Sequence, residues 1–130
     1  MKRREFIAAA VATALFAGPA RASDPITFHF YGAEDCPPCM AFKRNNLADV
    51  QALGKQHGFN VEENVIPRTR DVPDVGVYGD RDPILRMAAP QLELVYPPIF
   101  FVSQGGEILS VHGHDWSAAL REARRLAGLT

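Results

Sequence analysis

Phe28-His29-Phe30-Tyr31-Gly32-Ala33-Glu34-Asp35-Cys36-Pro37-Pro38-Cys39 is the stretch whose reading decides the fold. Ile26 to Tyr31 is a β-type run, with Ile26, Phe28 and Phe30 on one face by the period of two, and Gly32 is expected to end it. From Pro37 the chain is expected to be helical to about Gln56. Proline suits a first helical turn, where its missing N–H has no intrahelical acceptor to find. Met40, Leu47 and Val50 fall roughly on one stripe, while Lys43, Arg44, Asp49 and Lys55 lie elsewhere. Gly54 and Gly58 are the candidate stops.

A Cys-x-x-Cys between a strand and a helix has a chemical logic. The first cysteine, Cys36, sits at the helix start, where unpaired N–H groups and the positive end of the dipole favour its thiolate. The thiolate is the nucleophile, so Cys36 is the candidate attacking group. Cys39, one turn inward, is the candidate resolving thiol that attacks the mixed disulfide. Glu34 and Asp35 oppose ionisation of Cys36, so only a moderate fall in its pKa is expected. These are the chain's 2 cysteines, and a bond between them closes a loop too small to remove much unfolded-chain entropy. The pair is a poor staple and a well-placed reagent. Zinc normally takes four ligands, and no second cysteine pair exists; His29, His112 and His114 would complete a metal site only by folding together. A competing reading keeps the two thiolates for Cu(I), which prefers soft ligands, as in a copper chaperone using Cys36, Cys39 and a histidine.

Outward from this centre, Phe59 to Ile66 reads as a second strand. Pro67 to Asp82, charged and broken by Pro73, Gly76 and Gly79, reads as a long loop. Pro83 opens a short helix, Ile84 to Ala89, that Pro90 stops. Ile99 to Val102 is a buried-type strand, Gln104-Gly105-Gly106 a hairpin turn, and Glu107 to Val111 the return strand. Asp115 or Ser117 caps a last helix that runs to about Ala127, with Trp116, Leu120, Ala123 and Leu126 or Ala127 inward. A β-α-β start followed by a hairpin and a helix predicts an α/β fold, a mixed sheet with helices on both faces.

The first 22 residues fall outside this pattern. Lys2, Arg3 and Arg4 form a basic start, an apolar run from Phe6 to Ala17 follows, and Ala20-Arg21-Ala22 offers small residues for a signal peptidase. The expected organisation is a signal peptide over 1–22 and one domain over 23–130. The paired arginines resemble a twin-arginine signal, with Lys2 and Ala8 off the usual pattern, and either the folded-protein or the unfolded-chain route fits. The whole chain carries a formal charge of -1, and the signal removes four cations and one anion, which leaves a distinctly acidic domain. Such a domain has no field to attract nucleic acid.

The segment Phe28 to Cys39 resembles the active-site segment of the thioredoxin superfamily. Ala89-Pro90-Gln91-Leu92-Glu93-Leu94-Val95-Tyr96-Pro97-Pro98-Ile99-Phe100-Phe101-Val102-Ser103-Gln104-Gly105-Gly106-Glu107 is similar to that superfamily's cis-proline strand and Gly-Glu turn, and Gly113 to the glycine closing its last strand. The resemblance implies a minimal, glutaredoxin-like version of the fold. It implies that Pro98 is the cis-proline beside the cysteines, and that Tyr96, Pro97 and Pro98 are the substrate-binding residues. Three departures matter. Phe30 stands where thioredoxins carry a buried acid, Asp35 stands where they carry a tryptophan, and Pro97 has no N–H to pair with an extended substrate. General affinity for unfolded chains is therefore expected to be reduced.

Together these readings predict a periplasmic thiol–disulfide oxidoreductase that needs no cofactor and no metal. Its expected partners are disulfides or thiols of exported proteins, cytochrome maturation or sulfur-oxidation components among them, and a membrane thiol reductant as electron donor; a monomer is expected. Dedicated oxidases usually carry a large helical insertion for which 23–130 has no room, which favours a reductant or an exchanger. The signal reading is checked by the intact mass of protein from the exported fraction. A mature chain beginning at Ser23 is the expected result, and Met1 retained there refutes it.

Overall fold

A computed structural model describes residues 24–70 and 96–129. The signal segment, the expected short helix at 84–89, most of the expected 67–82 loop and the 89–95 part of the second family-like segment lie outside the described residues. Seven elements follow one another: β1 (Ile26–Ala33), α1 (Pro37–Asn45), α2 (Leu47–His57), β2 (Asn60–Ile66), β3 (Ile99–Gln104), β4 (Glu107–Gly113) and α3 (Trp116–Ala127). The sheet order is β2-β1-β3-β4. β1 runs parallel to β2 and antiparallel to β3, and β3 forms the antiparallel hairpin with β4. The parallel pair needs a crossover, and α1 and α2 supply it.

β1 does not stop at Gly32. It continues through Ala33, and the pairing with β2 runs to Ala33↔Ile66. The glycine serves packing instead: a Cβ there would lie 2.9 Å from the Phe30 ring and 3.1 Å from Cys39 Cβ. Only a residue without a side chain lets α1 rest this close to the strand. The expected alternation along β1 is also absent. Phe28 to Ala33 are all buried, because the central strand is covered on both faces.

The single helix expected from Pro37 to Gln56 is two helices joined at Asn46, whose φ is -129°. Two adjacent asparagines, Asn45 and Asn46, have weak helix propensity and permit the break. Hydrogen bonds still cross it, from Asn46 N–H to Phe42 C=O and from Val50 N–H to Asn46 C=O. The break resets the helical phase. α1 buries Cys39 and Phe42, and α2 buries Leu47, Val50 and Gly54. Phe42, which a continuous stripe through Met40 leaves aside, is the hub of the core. Its ring lies 4.8 Å from Phe30, 4.7 Å from Phe100 and 5.7 Å from Trp116, between centroids. Gly58 closes α2 with φ 85°, a left-handed C-cap; Gly54 lies inside the helix.

Asp115 caps α3, its carboxylate accepting from Ala118 N–H and from the Ser117 hydroxyl. The inward face is a row of small residues, Ala119, Ala123 and Ala127. Trp116, Leu120 and Leu126 flank it, partly buried and packed against the core, so the inner face expected from sequence is present and gains Ala119. Alanines at this spacing let the helix axis approach the sheet. The opposite sheet face is buried too. There Tyr31, Ile99 and Phe101 are fully covered, and His29 stacks on Phe101 and meets Ser103 Oγ at 2.8 Å. Among the described residues no helix is long and apolar enough to cross a membrane.

The Phe42 hub predicts the largest packing loss in the domain. Phe42→Ala is expected to lower the unfolding free energy by about 3–5 kcal/mol, read as a fall in the urea midpoint. Lys43→Ala, which breaks the half-exposed Lys43–Glu63 pair, is expected to cost under about 1 kcal/mol.

Candidate active site

Extended backbone at Cys36, φ -106° and ψ 105°, turns the chain from β1 into α1 and makes Cys36 the N-cap. Its N–H donates to Ala33 C=O, and its C=O accepts from Met40 N–H. Pro37 and Pro38 occupy the first two helical positions, so two amides that would lack partners are absent. The first amide with a proton in this turn is that of Cys39, and it donates to Cys36 Sγ at 3.3 Å. The cap that serine or aspartate usually provides is here a sulfur.

Cys36 and Cys39 are joined as a disulfide, with Cα atoms 5.2 Å apart. Their exposure differs in the direction expected of an attacking thiol and a shielded one. Cys36 is 6% accessible and Cys39 is 0%, its Cβ close against the β1 backbone at Gly32. An incoming sulfur reaches Cys36 and not Cys39.

Electrostatics at Cys36 pull both ways. The helix start and the Cys39 N–H favour the thiolate. The Pro97 carbonyl oxygen, 3.5 Å from Cys36 Sγ, and the neighbouring Asp35 oppose it. Asp35 is itself held in place. Its carboxylate accepts from Thr69 Oγ1 at 2.7 Å and from Thr69 N–H at 2.6 Å. These bonds, with Arg68 adding a smaller pull, hold its pKa below the usual carboxylate value. The negative charge beside Cys36 therefore persists at neutral pH, and is lost only when acid carries the pH down through that lowered value. Thr69 carries no pattern that sequence reading singles out; only the folded chain brings it to Asp35.

The Pro97–Pro98 peptide bond is cis. Pro98 is buried, and Tyr96 is 78% exposed. A cleft of about 280 Å³ opens between the end of α1 and the start of α3, lined by Pro38, Ala41, Pro98, His114 and Trp116 among others. His112, in β4, and His114, just after it, each have a bond. His112 Nε2 lies 2.8 Å from Ser110 Oγ, and His114 Nε2 lies 2.6 Å from the Tyr96 carbonyl oxygen. Neither histidine forms a metal cluster with the cysteines, and among the described residues no group of three or more His, Cys, Asp or Glu could hold an ion. Trp116, expected simply as core, packs on Phe42 and also forms a wall of the cleft.

No protein-family model matches the chain, and no curated protein is significantly similar to it. Solved structures are similar. Thioredoxin f from spinach chloroplast, in its short form, has a TM-score of 0.50 at 12% identity over 81% of this chain and 79% of its own. Thioredoxin of Fasciola hepatica has a TM-score of 0.47 at 18% identity over 80% of this chain and 83% of its own. The first likeness, with the mixed four-stranded sheet, shows that the chain has a thioredoxin-like fold.

Asp35→Asn keeps an acceptor for Thr69 and removes the charge beside Cys36. The variant is expected to lower the Cys36 pKa and to react about two- to threefold faster with iodoacetamide at pH 6, after reduction. An unchanged or slower rate refutes the electrostatic role of Asp35.

Proposed function

We propose that this chain is a periplasmic thiol–disulfide oxidoreductase that reduces or exchanges disulfides of other exported proteins. The observation that carries the reading is the unequal placing of two bonded cysteines, Cys36 at a helix N-cap near the surface and Cys39 fully buried one turn behind it. The thioredoxin-like fold and the Cys-x-x-Cys pair support disulfide exchange in general. The export-type N-terminus motivates the compartment, where disulfides persist and need editing.

In the reduced enzyme the Cys36 thiolate attacks one sulfur of a substrate disulfide. A mixed disulfide forms, and the other substrate sulfur leaves as a thiolate that takes a proton from solvent. Cys39 then gives up its proton and attacks Cys36 Sγ. The second substrate thiol is released, and the Cys36–Cys39 bond forms. Two electrons have passed to the substrate, and a thiol reductant, which we assign to a membrane carrier, must return two. With Phe30 where thioredoxins carry a buried acid, the Cys39 proton passes to another group or to water. Cytochrome-maturation or sulfur-oxidation proteins are fitting partners for an exchanger of this compartment. The Cu(I) reading has the two sulfurs in its favour, but among the described residues no histidine joins them in a group that could hold an ion.

Two cysteine variants test the mechanism. Cys39→Ser is expected to stop turnover and accumulate a mixed disulfide with its partner, because no resolving thiol remains. Cys36→Ser is expected to trap nothing and to lose insulin reduction by at least about a thousandfold. Trapping on Cys36→Ser alone reverses the roles. Wild type that reduces no disulfide, while both variants lose bound copper, replaces this reading with the metal one.

A further inference from the structure

Around Cys36 the backbone of Pro97 and Pro98 offers acceptors and lacks donors. Pro97 and Pro98 have no N–H, and the Pro97 carbonyl faces Cys36 Sγ at 3.5 Å. The N–H of Cys36 itself is spent on Ala33. A peptide that brings a disulfide here carries both N–H and C=O groups beside its cysteine. Its N–H groups find acceptors. Its carbonyls lose water and find no donor on Pro97 or Pro98, which costs binding.

One side chain fits this deficit. His114 is exposed, follows β4, and lines the cleft together with Pro38 and Pro98. Its Nε2–H is held on the Tyr96 carbonyl at 2.6 Å, next to the two prolines that have no N–H. A carbonyl oxygen in solvent accepts equally well from water, so this bond is exchanged cheaply for another.

Building on the exchange activity proposed above, we propose that His114 is a substrate-positioning residue: its Nε2–H leaves the Tyr96 carbonyl for a substrate main-chain carbonyl beside the disulfide cysteine, supplying the donor that Pro97 and Pro98 lack. The substrate class that gains from this is a peptide or protein disulfide. A small disulfide without amide carbonyls gains nothing.

The test compares wild type, His114→Ala and His114→Gln on two substrates, a short peptide cyclised by one disulfide and 2-hydroxyethyl disulfide. Glutamine places an N–H donor at nearly the reach of histidine Nε2. In His114→Ala the KM for the peptide is expected to rise about five- to tenfold with kcat little changed, so the ratio of peptide to small-disulfide kcat/KM falls by the same factor. His114→Gln is expected to restore that ratio to within about twofold of wild type. A merely structural role, holding the Tyr96–Pro98 loop in place, would slow both substrates alike and leave the ratio unmoved; that result overturns the proposal. So does failure of glutamine to restore the ratio. Wild type inactive on both substrates overturns the exchange activity itself, a different outcome from either.

Discussion

The structure depends on seating a helix N-terminus against the end of a central strand at near contact distance. Gly32 makes this possible on the strand side, since any side chain there would strike Phe30 and Cys39. Phe42 holds it on the helix side, three residues after Cys39, by inserting its ring among Phe30, Phe100 and Trp116. The same contact that buries Cys39 leaves Cys36 at the rim. The difference in exposure between the two sulfurs is therefore a product of core packing, not of the cysteines themselves.

That arrangement places the site where three segments distant in sequence converge. α1 contributes the sulfurs, the Tyr96–Pro98 loop contributes carbonyls and proline rings, and the turn between β4 and α3 contributes His114. The parallel pairing of β1 with β2 carries the chain from Ile66 toward Thr69, whose hydroxyl and amide fix Asp35 at the edge of the site. Each of these contacts bears on Cys36: the helix start favours its charge, and Asp35 and the Pro97 carbonyl resist it.

Much of this was legible in the sequence. The apolar run before Cys36, the prolines after it, the Gly105-Gly106 turn and the capping Asp115 act through local chemistry, so their elements lie where composition places them. Two readings failed for one reason. Gly32 looked like a strand end and Asn46 like the middle of a helix. Each is decided by how closely another element approaches, and periodicity within a segment carries no information on that distance.

The sequence by itself determined the reagent and its setting: two cysteines three apart, a strand before them, a proline-led helix after them, and acidic neighbours. These are relations among residues near in the chain, which backbone geometry fixes without long-range help. Only the tertiary structure decided which sulfur is shielded, that Thr69 anchors Asp35, and that His114 bonds the Tyr96 carbonyl 18 residues away. Those contacts join side chains that share no periodicity and no spacing rule, and they exist because packing around Phe42 and the sheet order β2-β1-β3-β4 bring their elements to one edge.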